Sequence, residues 1–223
     1  MRRNAQTAGI RIDLHVHTRR YSPCAELLDP AGLAAAMEKK LIQGVVITEH
    51  DNLWPAAEIR RLNADCAPGS RIFRGIEVSC DIGHFIIIGL PHTQDLYPGM
   101  PVTALVKLAV RNNAAVIVVH PQKIYRKTGR PVDVAALPQG IHAIETMSTF
   151  TRGPDCIAAA RIAALRQWAA VAGSDAHCLE QIGTAVTVFR TLPDDEQELA
   201  AAIRKGSGTP QWYTELQGQS RCC

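Results

Sequence analysis

Residues able to hold a metal ion stand at the ends of several short apolar runs in this sequence. In Ile12-Asp13-Leu14-His15-Val16-His17, two imidazoles lie two residues apart at the end of a strand-like stretch. Side chains at i and i+2 of a strand share a face, so His15 and His17 point together. Two neutral imidazoles converging on one point make half of a metal site. A single His-x-His pair also fits a solvent-facing or packed strand; the recurrence of the pattern argues for ligation. It returns at Thr48-Glu49-His50-Asp51, Gly75-Ile76-Glu77, Val119-His120-Pro121, Ile144-Glu145 and Gly173-Ser174-Asp175-Ala176-His177.

The elements that must carry these groups alternate. Residues 11–17 read as a strand, and Asp29-Pro30 as the cap and first position of a helix reaching about Leu41. Gly44 opens a β-branched strand of the buried, parallel kind. A helix over 54–62, strands over 72–79 and 85–88 joined by a tight Asp81-Ile82-Gly83 connection, a helix over 101–113 and a strand over 114–119 follow. Further on, strands are expected over 141–147, 169–173 and 184–189, and helices over 154–168 and 194–204. Residues 1–10 read as an N-terminal extension, 11–205 as one barrel domain and 206–223 as a loose tail.

Repeated strand and helix imply a parallel sheet with helices outside it. Every candidate ligand lies at the C-terminal end of its strand or just beyond, as in the active-site face of a (β/α) barrel. A doubly wound sheet would gather its chemistry at one switch point, often with a Gly-rich phosphate turn, and no such turn is present.

Composition sets outer limits. With 223 residues, 47% hydrophobic content and a formal net charge of +3, the chain suits one large globular domain and lacks the basic stripe of a dedicated nucleic-acid binder. No membrane-length apolar run and no signal-peptide core is found, so a cytoplasmic location is expected. The seven cysteines include no Cys-x-x-Cys pair, which argues against a disulfide framework or a zinc ribbon.

Taken together, the motifs Asp13-Leu14-His15-Val16-His17-Thr18, Ile47-Thr48-Glu49-His50-Asp51, Gly75-Ile76-Glu77, His120-Pro121, Ile144-Glu145 and Gly173 to His177 resemble those of the PHP (polymerase and histidinol phosphatase) family of metal-dependent phosphoesterases. The resemblance spans about residues 11–190. It implies a distorted seven-stranded (β/α)7 TIM-like barrel, the PHP fold, with two or three divalent transition-metal ions in its mouth. Carried over position by position, it puts His15, His17, Glu77 and Asp175 on one metal, with Glu77 bridging to a second held by His120 and His84. His50 and His177 would hold a third. The loop Tyr21-Ser22-Pro23-Cys24-Ala25-Glu26 departs from the family, since Pro23 cannot ligate, and leaves Cys24, Glu26 or an unfilled site as alternatives.

A mixed imidazole and carboxylate shell suits zinc, manganese or iron. Two such ions roughly 3.5–4 Å apart acidify a bound water to hydroxide and clamp phosphoryl oxygens. The expected reaction is therefore hydrolysis of a small phosphate monoester by metal-bound hydroxide, with His177 or His50 as proton donor to the leaving group. Arg19, Arg20, Lys123, Arg126 and Arg152 are the candidate substrate-binding cations on the rim; each also fits an ordinary solvated charge. Glu145 either orients a ligand histidine or touches metal itself. Asp13 is expected to make a structural hydrogen bond, and His92 and His142 to be structural. The alternatives are a nucleotide or oligonucleotide phosphodiesterase or exonuclease, a non-catalytic PHP-like regulatory module, and hydrolysis of a C–N or C–O bond. A small phosphorylated substrate is the expected partner, with no membrane and no stable nucleic-acid complex; oligomeric state is not legible.

Overall fold

A computed structural model describes residues 9–213. The chain runs β1 (Ile10–Val16), α1 (Leu33–Lys39), β2 (Gly44–Ile47), α2 (Ala56–Ala64), β3 (Arg71–Ser79), β4 (His84–Ile88), α3 (Val102–Arg111) and β5 (Ala115–Val118). It continues through β6 (Ala143–Met147), α4 (Pro154–Arg166), β7 (Ala169–Ala172), β8 (Ala185–Phe189), α5 (Glu196–Arg204) and β9 (Thr209–Trp212). The strands form one curled sheet in the order β7-β6-β5-β4-β3-β2-β1-β8-β9. The sheet curls back on itself where β7 reaches β8, the strand beside the terminal β9: Ala172 of β7 donates its N–H to Thr187 Oγ1 of β8 (2.8 Å), and the same hydroxyl donates to the Ala172 carbonyl (2.9 Å). One side chain thus satisfies both backbone groups at the seam.

The barrel is not a regular (β/α)7. β4 is antiparallel to both β3 and β5, and β8 is antiparallel to β1 and β9. A hairpin at 80–83 is too short for a helical crossover, so β4 must reverse direction. Between β5 and β6 the parallel crossover contains only a 3-10 turn at Val134–Ala136, because Pro121, Pro131, Pro138, Gly129 and Gly140 interrupt helix formation. Trp54 precedes α2 rather than opening it, and its indole N–H donates to Glu49 Oε1 at 2.9 Å. Within the expected loose tail, Thr209–Trp212 instead adds a strand to β8; residues 214–223, including Cys222 and Cys223, lie outside the described residues.

β2 is buried at every position, as expected for a strand covered on both faces. Ile12, Val46, Phe73, Ile86 and Ile117 fill the barrel beneath its mouth, joined by Leu199, Ala200 and Ile203 of α5. Other apolar layers seat α3 and α4, and α1 and α2, on the outside. Register shifts between Asp13 and Val16, so that Ile12 joins the inner layer while Val16 joins the outer one. Asp13 turns from the mouth and accepts N–H bonds from Ser174 and Gly183, both 2.7 Å, and from His15 at 3.2 Å. Burial pushes its pKa up to about 6, which leaves it predominantly ionised as an acceptor at neutral pH.

Replacing Thr187 with Val keeps the shape but leaves the Ala172 N–H and C=O unpaired at the seam. Urea unfolding should show a loss of about 1–3 kcal/mol; an unchanged midpoint and slope would mean that the seam contributes nothing.

Candidate metal centre

All strand-end candidates gather at one mouth. β4 starts where β3 ends, with His84 paired to Ser79, so the reversed strand brings His84 to the same rim as the C-terminal ends of β1, β2, β3, β5 and β7. Glu77, fully buried on β3, stands at the centre. Its Oε2 lies 3.3 Å from His15 Nε2, 3.1 Å from His17 Nε2 and 3.2 Å from His50 Nδ1. Its Oε1 lies 2.9 Å from His84 Nδ1 and 3.0 Å from His120 Nε2. Asp175 Oδ1 approaches His15 Nε2 at 3.3 Å and His17 Nε2 at 3.2 Å. Candidate ligand atoms group as His15-His17-Glu77, His15-His120-Asp175, His50-Glu77-His84 and His17-His50-His177.

These donors fit a metal cluster. His15 Nε2 and His17 Nε2 are 3.0 Å apart and share two carboxylate oxygens. His15 Nδ1 is engaged with Glu145 Oε1 at 3.0 Å, so in the neutral ring Nε2 presents a lone pair toward other acceptors. Such a set calls for a cation between its members. Asp175 Oδ2, also buried, has no hydrogen-bond partner. Burial opposes charge on His15, yet Asp175, Glu145 and Glu77 raise its pKa well above the ordinary imidazole range. Burial likewise opposes ionisation of Glu77 and Asp175, but His15 and the neighbouring imidazoles hold both carboxyls well below their usual values. Burial pushes His50 down to about 4, so at neutral pH its ring is uncharged and one nitrogen offers a lone pair.

Backbone strain is stored at two of these positions. His120 (φ 30°) and Asp175 (φ 54°) lie at positive φ without being glycine. Gly173 allows the segment leading to Asp175 to cross β1 closely: a Cβ there would sit 2.5 Å from the His15 Cβ and 2.6 Å from its nitrogen.

Outer partners fix the ligands. Glu145 takes the orienting position, engaging His15 Nδ1 and accepting the His120 N–H at 2.8 Å through Oε2. Ser22, buried in the irregular loop, was not singled out by sequence. Its Oγ accepts the His50 N–H at 3.2 Å and faces His17 Nδ1 at 3.4 Å. A serine that orients ligands from another strand leaves no spacing signal. Glu49 points away, binding Thr18 and Trp54. His142 Nδ1 accepts the Val116 N–H at 3.1 Å, a structural role. His92 is exposed and Glu26 is exposed away from the groups above.

Only part of the expected cationic rim reaches the mouth. A cavity of about 420 Å³ is lined by His50, His84, His120 and His177 together with Lys123 and Arg126. Arg19 instead pairs with Asp29, Arg20 with Glu58 at 3.4 Å, and Arg152 lies over the Trp212 ring at 5.6 Å. None of these three lines the cavity. Cys24 does border the cavity.

No curated protein matches the sequence. A family model described as PHP-associated matches residues 154–207, a segment holding Asp175 and His177. PsfC from Pseudomonas syringae PB-5123 superposes with a TM-score of 0.67 at 16% identity, covering 91% of each chain. A protein from Bifidobacterium adolescentis, assigned as a metal-dependent phosphoesterase, gives 0.62 at 15% identity over 86% of this chain and 96% of its own. This is a PHP-type fold. The lesion-specific endonuclease PfuEndoQ from Pyrococcus furiosus shares the PHP-type barrel, with a TM-score of 0.62 and 16% identity over 91% of this chain and 57% of its own. No helix among the described residues of the PHP-type barrel is long and apolar enough to cross a membrane.

Glu145→Gln should lower metal affinity roughly 10–100-fold while the barrel stays folded, as read by metal titration and circular dichroism; undiminished affinity would remove Glu145 from the centre. Iodoacetamide should label Cys24 before Cys80, whose thiol burial pushes up to about 12. Peptide mass mapping reads the order.

Proposed function

We propose that the chain is a metal-dependent phosphoesterase acting on a small phosphate monoester. The observation that carries the reading is the cavity itself: one concave space is lined both by Lys123 and Arg126 and by His50, His84 and His120, imidazoles that contact Glu77. His15, His17, Glu77 and Asp175 would hold one ion, Glu77, His84 and His120 a second, and His50 and His177, with His17 alongside, a third. Zinc, manganese or iron bound there would polarise the phosphoryl group and supply a nucleophilic water near neutral pH.

The protein's own residues do the rest. Lys123 and Arg126 neutralise the non-bridging phosphoryl oxygens and orient the ester. Water oxygen bonds to phosphorus, the ester P–O bond breaks, and the alcohol leaves with a proton. Where the third ion is absent, His177 is the better placed donor for that proton, because its Nδ1 is anchored on the Asp175 carbonyl at 2.9 Å and its Nε2 is then free to face the substrate. His50, expected beside it in this role, is disfavoured by its depressed pKa and by its contact with Glu77.

A nuclease acting on DNA is the second reading, favoured by the fold shared with PfuEndoQ. A non-catalytic module is disfavoured by the intact ligand set.

Metal content and hydrolysis of p-nitrophenyl phosphate, bis-p-nitrophenyl phosphate and a short oligonucleotide separate the readings. Chelation and Glu77→Gln should each reduce monoester hydrolysis to background, and the variant should bind fewer ions. Predominant cleavage of the diester and oligonucleotide would favour the nuclease. A folded protein that takes up no zinc, manganese or iron and hydrolyses nothing would refute the enzyme reading.

A further inference from the structure

The cavity also has an apolar lining that phosphate chemistry does not require. Ile124, Tyr125 and Val132, all from the non-helical β5–β6 crossover, face it beside the two cations. Ile124 is 64% exposed, so it takes little part in the core. Phe150, 50% exposed, carries the Lys123 ammonium over its ring at 4.3 Å. Scattered exposed hydrophobics need no explanation, but here they adjoin a concave site.

The wall is held in shape before any ligand arrives. Tyr125 donates its N–H to the Arg130 carbonyl at 3.0 Å and accepts the Gly129 N–H at 2.9 Å, which closes a tight turn. Its hydroxyl donates to the Cys80 carbonyl at 2.8 Å, and its ring meets His84 edge-on with centroids 5.1 Å apart. With the hydroxyl engaged, the ring offers mainly hydrocarbon to the cavity. Val132 is seated by Gly83, where a Cβ would come within 2.4 Å of Val132 Cγ2. Apolar surface fixed in this way binds without first having to be ordered.

We propose that this wall selects phosphate monoesters whose alcohol part is an apolar ring. The proposal rests on the phosphomonoesterase reading and adds the substrate class. A polyol leaving group would surrender water hydrogen bonds against Ile124, Tyr125 and Val132 and find few replacements there. An apolar ring loses none and shields the wall from solvent. The wall touches the alcohol and not the phosphoryl group, so it acts on preference among esters and not on the P–O chemistry itself.

Benzyl phosphate, cyclohexylmethyl phosphate and glycerol 3-phosphate are all esters of primary alcohols and serve as probes of the metal-loaded protein. The wild type should favour the two ring esters in kcat/KM by about 10-fold or more over glycerol 3-phosphate. Ile124→Ser should lose most of that preference by slowing the two ring esters more than glycerol 3-phosphate, and Ile124→Leu should retain it; thermal melts confirm that both variants fold. Equal rates for the three esters in the wild type, or an equal slowing of all three by Ile124→Ser, would overturn the wall's role while leaving the phosphatase reading intact. Hydrolysis of none of the three would overturn the phosphomonoesterase reading and this inference with it.

Discussion

A buried carboxylate surrounded by imidazoles governs this molecule. Glu77 is removed from water and faces His15, His17, His50, His84 and His120. Burying a charge is costly unless it is paired and hydrogen-bonded, so the strands must deliver their partners to one point. Glu77 is therefore both the geometric hub of the mouth and the reason its electrostatics are coupled. The same charges that keep Glu77 and Asp175 ionised support a cation at His15. A metal ion meets that demand with a fixed position and Lewis acidity, which a shared proton cannot supply.

The departures from a regular barrel are what complete the mouth. In an all-parallel barrel, the first residue of a strand lies at the opposite end from the active site. Reversal of β4 puts its first residue, His84, beside the last residue of β3. Replacing a crossover helix with the proline-interrupted stretch between β5 and β6 frees Lys123 to Val132 to fold over the opening. The register shift in β1 serves the same end from below: Ile12 packs inward, Asp13 secures the neighbouring segment, and His15 faces the centre.

Strain and satisfaction alternate around the site. His120 and Asp175 hold unfavourable backbone conformations at the positions where ligands are wanted, while Glu145, Ser22 and Asp13 supply the surrounding hydrogen bonds. Such an arrangement keeps ligand atoms close together despite their mutual repulsion. It also accounts for a buried Asp175 oxygen left without a protein partner, since that atom is available to a ligand the protein does not itself contain.

Candidate donor groups and strand alternation were legible in the sequence because both are local. His15 and His17 share a face by backbone period, and apolar runs ending in His50, Glu77, His120 and Asp175 mark strand ends whatever their neighbours do. Outer-shell geometry was only partly legible: Glu145 ended a strand, but nothing near Ser22 in the chain shows that its hydroxyl meets His17 and His50. Arg19, Arg20 and Arg152 looked like rim cations because sequence proximity to a ligand cannot reveal that Asp29, Glu58 and Trp212 lie closer. Thr209–Trp212 read as loose because an edge strand takes its stability from the partner, here β8, and not from its own pattern. The sequence by itself determined which atoms could bind a cation and which segments could carry them. Tertiary structure alone decided that they meet around Glu77, which cations keep access to the mouth, and what wall faces them, because those outcomes depend on packing between residues far apart in the chain.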